Sequence, residues 1–161
     1  MEKIKSPAEL DETLKNLKKQ GKKIVWTNGC FDLLHEGHIK YLKKSKEQGD
    51  FLVVGLNSDS SIKRLKGSNR PIMPERARAE ILASLEFVDF IMIFDEDSPC
   101  KHLSILKSDV YVKGGDYTLD TINQIERKIV DSYGGKIFIT GLVEGISTSK
   151  IIEKMKNDTI N

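Results

Sequence analysis

The chain has 161 residues, 39% of them hydrophobic and 31% charged, which is the length of one ordinary domain with a real core and excludes a disordered or fibrous chain. Its 26 basic and 24 acidic residues leave a formal net charge of +2, too weak a field to draw nucleic acid or a membrane surface, so any basic site must be local. Two cysteines far apart in sequence, Cys30 and Cys100, together with no signal-like leader and no apolar run of membrane length, predict a cytoplasmic, reducing location.

In chain order, Ser6-Pro7-Ala8-Glu9 has the pattern of a capping box with proline in the first turn, opening a helix that ends near Gly21. Residues 1–22 are therefore expected to form an N-terminal helix packed on the domain, and residues 23–161 the domain itself. β-Branched or continuous apolar runs predict strands at 23–27, 51–56, 90–94, 109–112 and 136–140. Helical spacing predicts helices at 36–48, 75–85, 98–106 and 120–133, with a last helical run at 150–156. In the helix at 36–48, Ile39, Leu42 and the stem of Lys46 share a stripe, and Gly49 stands where a capping glycine is expected. Lys63 to Pro74, rich in Lys, Arg, Gly and Pro, is the expected mobile segment. Strands alternating with helices imply an α/β fold: a doubly wound, Rossmann-like parallel sheet covered on both faces, which binds ligands beyond the carboxyl ends of its strands.

The stretch from Thr27 to His38 falls at such an end. Asn28-Gly29 halts the first strand and lets backbone approach a ligand, and His35 and His38 lie on one face of the first turn of the next helix. Unpaired amides and the positive end of the helix dipole favour an anion there, and two imidazoles beside them suit the α-phosphate of a nucleotide. A metal site is the weaker alternative, because the only other histidine is His102 and a protein zinc site takes three or four ligands. Neither GxGxxG nor GxxxxGK[ST] occurs.

These residues resemble the HxGH nucleotidyltransferase superfamily. Within it the chain, from about Ile4 to Met155, is similar to the heptose 1-phosphate adenylyltransferase group, which in many bacteria forms the C-terminal half of a bifunctional kinase and adenylyltransferase and is expected here to stand alone. The similarity rests on Thr27 to His38, Asn57-Ser58-Asp59, Arg64-Leu65-Lys66-Gly67, Arg70-Pro71, Lys113-Gly114-Gly115-Asp116-Tyr117 and Glu144-Gly145-Ile146-Ser147-Thr148-Ser149. The resemblance implies transfer of AMP from ATP to a sugar 1-phosphate, with release of pyrophosphate, for surface-polysaccharide synthesis. Mg²⁺ would be bound mainly through the triphosphate, and the enzyme would be a homodimer with no nucleic-acid or membrane partner.

His35, His38 and Lys66 take the catalytic roles on this reading. Lys63, Arg64, Lys66 and Arg70 are expected to form a basic loop closing on the β- and γ-phosphates. Thr27, Asn28, Gly29, Phe31, Asp32, Lys63, Arg64, Arg78, Gly114, Asp116, Ser147 and Thr148 are assigned to the nucleotide. Each has a plainer reading beside it: Asp32 as a buried turn cap, Arg78 as a surface salt-bridge partner, Gly114 to Asp116 as a strand-ending turn, and Ser147-Thr148 as a helix cap. The rival activity is a CTP-dependent cytidylyltransferase acting on glycerol 3-phosphate. Glu86 and Leu142 stand where that group carries arginine, which favours ATP. A rival of another class is a non-catalytic nucleotide-binding regulator.

Overall fold

The computed structural model describes residues 2–115, 117–141 and 147–158. Seven helices and five strands alternate in the order α1 (Pro7–Lys19), β1 (Ile24–Gly29), α2 (Glu36–Lys46), β2 (Phe51–Asn57), α3 (Asp59–Lys66), α4 (Glu75–Ala83), β3 (Phe90–Phe94), α5 (Cys100–Leu106), β4 (Val110–Lys113), α6 (Gln124–Ser132), β5 (Lys136–Ile139) and α7 (Thr148–Asp158), counted among the described residues. The sheet order is β3-β2-β1-β4-β5, and every pairing is parallel. Winding runs outward from β1 to β3 and then returns to β4 and β5, so the direction reverses between β1 and β4. That reversal opens the crevice in which doubly wound sheets bind ligands.

Strand alternation builds a core on each face. Ile24, Trp26, Val53, Met92 and Tyr111 meet Leu10 and Leu14 of α1, Leu103 and Leu106 of α5, and Val130 of α6. On the other face Val25, Leu52, Val54, Ile91 and Val112 meet Leu42 of α2 and Ala79 and Leu82 of α4. Side chains one residue apart thus enter opposite layers, as the pleat requires.

The local signals explain most element ends. Ser6 and Glu9 form the reciprocal capping box, with the Ser6 amide donating to the Glu9 carboxylate at 2.9 Å. Before the helix, residues 3 to 5 lie along β3: the Ile91 amide donates to Lys3 O and the Lys5 amide to Ile91 O, both at 2.9 Å. Two expectations change. Helix α2 stops at Lys46, and Gly49 answers a different need, because a Cβ there would lie 2.8 Å from the Lys23 carbonyl oxygen and from a Val25 methyl. The basic segment after β2 is largely a helix: Ser58 caps α3, accepting from the Ser61 amide at 3.0 Å, and Lys63, Arg64 and Lys66 occupy its last turn, where cations offset the dipole.

Candidate active site

A cleft of about 470 Å³ opens at the β1/β4 reversal, within the size range of small-molecule sites. Its α2 wall carries Phe31, His35, Gly37, His38 and Tyr41. The β1 end supplies Asn28, Gly29 and Cys30, the β4 side supplies Lys113, Gly114, Gly115 and Tyr117, and Gly141, Ser147 and Thr148 complete it.

His35 is the N-cap residue of α2, in extended conformation and with no side-chain cap bond, so its ring is free to turn along the helix. It stacks on His38 with centroids 3.8 Å apart, and His38 lies 5.2 Å from the Phe31 ring. Phe31 has a φ of 44°, a left-handed conformation costly for a bulky residue; the strain turns the chain off β1 and sets the ring against His38. Burial lowers the His35 pKa. His38 falls to about 4, first through burial and then through the neighbouring His35. Both rings are neutral at pH 7.

Each Nδ1 is buried and without a hydrogen-bond partner. An orphaned donor is rarer in folded proteins than an under-satisfied acceptor. We therefore place the proton on Nε2, which gives the cleft two neutral N–H donors beside the free amides of the α2 N-terminus.

Beneath the cleft Thr27 is fully buried, and its hydroxyl bonds with that of Tyr41; both oxygens lie 3.1 Å from the Val112 carbonyl, to which either can donate. Burial, partly offset by Thr27, pushes the Tyr41 pKa up to about 12. Gly114 packs on this tyrosine, since a Cβ there would sit 2.8 Å from its ring. Thr27 therefore supports the floor and does not line the cleft. Ser147 accepts from the Lys150 amide at 3.2 Å, and the Thr148 hydroxyl donates to Leu33 O at 3.4 Å, so both help fix the start of α7 while lining the site.

Several expected ligand residues have other occupations. The Asp32 side chain is fully buried and accepts from Arg70 Nε at 2.6 Å and from the Ile72 and Met73 amides at 2.9 Å. Burial alone would raise its pKa, but the Met73 and Ile72 amides and Arg70 hold it below the usual carboxylate range. Arg78 is 1% exposed, and it donates to Cys30 O at 2.7 Å, Asn57 O at 2.9 Å, Met73 O at 3.0 Å and Asp59 at 2.7 Å. It is neither a surface residue nor lining for the cleft, because its fork joins the ends of β1 and β2 to α3 and α4. Arg64 faces away toward Asp97, 2.8 Å from its Nε. Lys63 and Lys66 are exposed and have no polar partner among the described residues. Cys30, which lines the cleft, has its thiol pKa raised by burial and opposed first by the charge of Lys66, so Lys66 is the cation of α3 whose field reaches the site. Asp116 and Leu142 lie outside the described residues.

Glu86 corrects the argument about base choice. It is exposed in the turn between α4 and β3, where the Asp89 amide donates to Leu52 O at the start of β2. That is the amino end of a parallel sheet, opposite the cleft, so Glu86 does not meet a base bound there.

Tyr41 was not singled out from the sequence, and Lys113 entered only as the head of a motif, with no role of its own. The first had a signal in its spacing, three residues after His38 on one helix face. The second had one in its position, a charge closing an apolar strand beside the glycine pair.

A doubly wound sheet with stacked, neutral histidines at the N-terminus of its first crossover helix is the scaffold of a nucleotidyltransferase. The chain belongs to the cytidylyltransferase-like family, whose model matches residues 26–154. It is 51% identical over 158 residues to the bifunctional protein HldE of Geotalea uraniireducens, covering 98% of this chain and 32% of that one. To the bifunctional protein HldE of Geobacter sulfurreducens it is 54% identical over 138 residues, 86% of this chain and 28% of that one. The chain thus spans about a third of the length of the curated relatives it matches. Among solved structures, the lipopolysaccharide core biosynthesis protein from Thermoplasma volcanium aligns with a TM-score of 0.63 and 31% identity over 78% of this chain and all of that one. The pantoate-β-alanine ligase of Francisella tularensis, TM-score 0.66 over 97% of this chain and 77% of that one, shares the fold at 16% identity.

Proposed function

We propose that this protein transfers AMP from the magnesium complex of ATP to a heptose 1-phosphate, giving ADP-heptose and pyrophosphate. The observation that carries the chemistry is the His35–His38 pair, neutral and stacked at the start of α2, with both Nδ1 atoms sealed off. The half-identity to bifunctional HldE proteins and the likeness to a lipopolysaccharide core biosynthesis protein support the sugar phosphate as acceptor.

On this reading an acceptor phosphate oxygen attacks the α-phosphorus, the bond from that phosphorus to the bridging oxygen breaks, and pyrophosphate leaves with the bond's electron pair. The nucleophile is already an anion at neutral pH, so no general base is required. The two Nε2–H donors and the α2 amides hold the α-phosphate oxygens as charge shifts, with no reorganisation at the moment of reaction. Lys66, on the last turn of α3, meets the departing pyrophosphate. Magnesium would be held mainly by the triphosphate itself and would supply neutralisation of its phosphate charge. A homodimer in the cytoplasm completes the proposal, and light scattering in solution tests the dimer.

The deciding experiment measures pyrophosphate release from each of the four nucleoside triphosphates crossed with heptose 1-phosphate, glucose 1-phosphate and glycerol 3-phosphate. ATP with heptose 1-phosphate should exceed CTP with glycerol 3-phosphate by about a hundredfold, a transition-state preference of roughly 2.7 kcal/mol. A preference for CTP would overturn the adenylyl assignment. Nucleotide binding without pyrophosphate from any pair would overturn turnover itself.

A further inference from the structure

With both histidines neutral, Lys113 carries the only permanent charge among the described residues lining the cleft. It ends β4, across the crevice from the α2 wall. Its ammonium lies 3.1 Å from a Glu126 oxygen, 5.3 Å from the centre of the Tyr111 ring and 5.8 Å from that of Tyr117. Of its three N–H donors one goes to Glu126, and no other acceptor is found among the described residues.

Glu126 is 5% exposed and sits in the first turn of α6, where the Asn123 cap accepts from its amide at 3.4 Å. The Tyr111 hydroxyl lies 2.9 Å from the Glu126 carboxylate and 3.0 Å from Asn28 Oδ1, and shares one proton between them. One buried carboxylate therefore gathers the cation on the β4 wall and, through Tyr111, the end of β1. A pair serving only to neutralise Glu126 would turn its ammonium inward and satisfy all three donors there. This one leaves donors on the face of a cleft otherwise lined by neutral groups.

We propose that Lys113 is the phosphate-binding cation of this cleft and that Glu126 is a positioning residue acting through it. The assignment rests on the nucleotidyltransferase reading above. The shared chemistry is a phosphate oxygen, and its two sources are the triphosphate and the phosphorylated acceptor. An ammonium held beside two tyrosine rings and tethered to Glu126 loses little freedom when a phosphate engages its remaining donors.

Calorimetry with α,β-methylene-ATP, with heptose 1-phosphate and with unphosphorylated heptose tests this, beside the KM and kcat of the complete reaction. Lys113→Met combined with Glu126→Gln removes both charges together, so no unpaired buried charge confounds folding. That double variant should bind one of the two phosphorylated ligands at least about tenfold more weakly, or 1.4 kcal/mol, with the rise appearing in the KM for the same ligand. Lys113→Arg should restore most of the affinity. Glu126→Gln alone should weaken the same ligand severalfold, yet cost nothing further in the Lys113→Met background, because its effect passes through the lysine.

The arm that changes identifies the source, triphosphate or acceptor. Binding of both phosphorylated ligands within about twofold of wild type in the double variant would overturn the proposal. An equal cost of Glu126→Gln in both backgrounds would overturn the positioning role. A wild-type protein that binds neither phosphorylated ligand would instead overturn the functional reading beneath it.

Discussion

The neutrality of His38 can be tested by pH. Its folded pKa of about 4 lies well below the ordinary 6.5, first because of burial and then because of His35. The unfolded chain therefore binds a proton between these values that the folded chain refuses, so stability is flat above pH 6.5 and falls as pH drops toward 4. Linkage puts the loss at about 2 kcal/mol at pH 5 and about 3 kcal/mol at pH 4. Urea unfolding at pH 7.5 and pH 5.0, in wild type and in His38→Asn, isolates this contribution, because the asparagine does not titrate. The variant should lose about 2 kcal/mol less than wild type over that step. The His38 Cε1 proton resonance should shift with a midpoint near 4. A midpoint near 6.5, with equal acid losses in both proteins, would refute the argument that burial and stacking keep the pair neutral.

His35→Ala and His38→Ala should each lower kcat by about a hundredfold or more while circular dichroism and the melting profile stay native, and near-normal turnover in both would remove the histidines from the mechanism. Lys66→Ala should weaken ATP binding severalfold, whereas Arg64→Ala, whose guanidinium faces Asp97, should leave it within about twofold; calorimetry that reverses this order would relocate the pyrophosphate contact. Asp32→Ala, which strands Arg70 and two amides around a buried site, should cost about 3 to 5 kcal/mol in urea unfolding. A loss under 1 kcal/mol would show that the clamp is not built as described.

The alternation of strands and helices was legible because parallel strands buried on both faces read as continuous apolar runs, as Leu52 to Leu56 do. The histidine pair was legible because three-residue spacing at a strand-to-helix break has one geometric meaning. Helix α3 was missed because its basic last turn resembles a solvated loop, and its start depends on Ser58, whose capping bond has no apolar signature. Asp32 was legible as a buried cap, but its partners, like those of Arg78, were hidden for a different reason. Their partners, Ile72 and Met73 for one and the Cys30 and Asn57 carbonyls for the other, are main-chain atoms tens of residues away. Residue type says nothing of such backbone partners. Lys113 and Glu126, thirteen residues apart, face each other only because α6 crosses back over the end of β4.

The grip of Asp32 on residues 70 to 73, together with the cap at Ser58, fixes both ends of the stretch that carries Lys66. Between these anchors Gly67, Ser68 and Asn69 are exposed. Lengthening a short exposed connection costs only a logarithmic increment of closure entropy, a few tenths of a kcal/mol per residue. Gly67, at a φ of 98°, caps α3, and its carbonyl accepts from the Arg70 amide at 3.1 Å, so insertions or swaps belong at Ser68 and Asn69, where they leave α3 and the Asp32 clamp in place. The connection after Lys66 is in this sense a modular spacer, adjustable over evolution or by design at two exposed positions between fixed anchors.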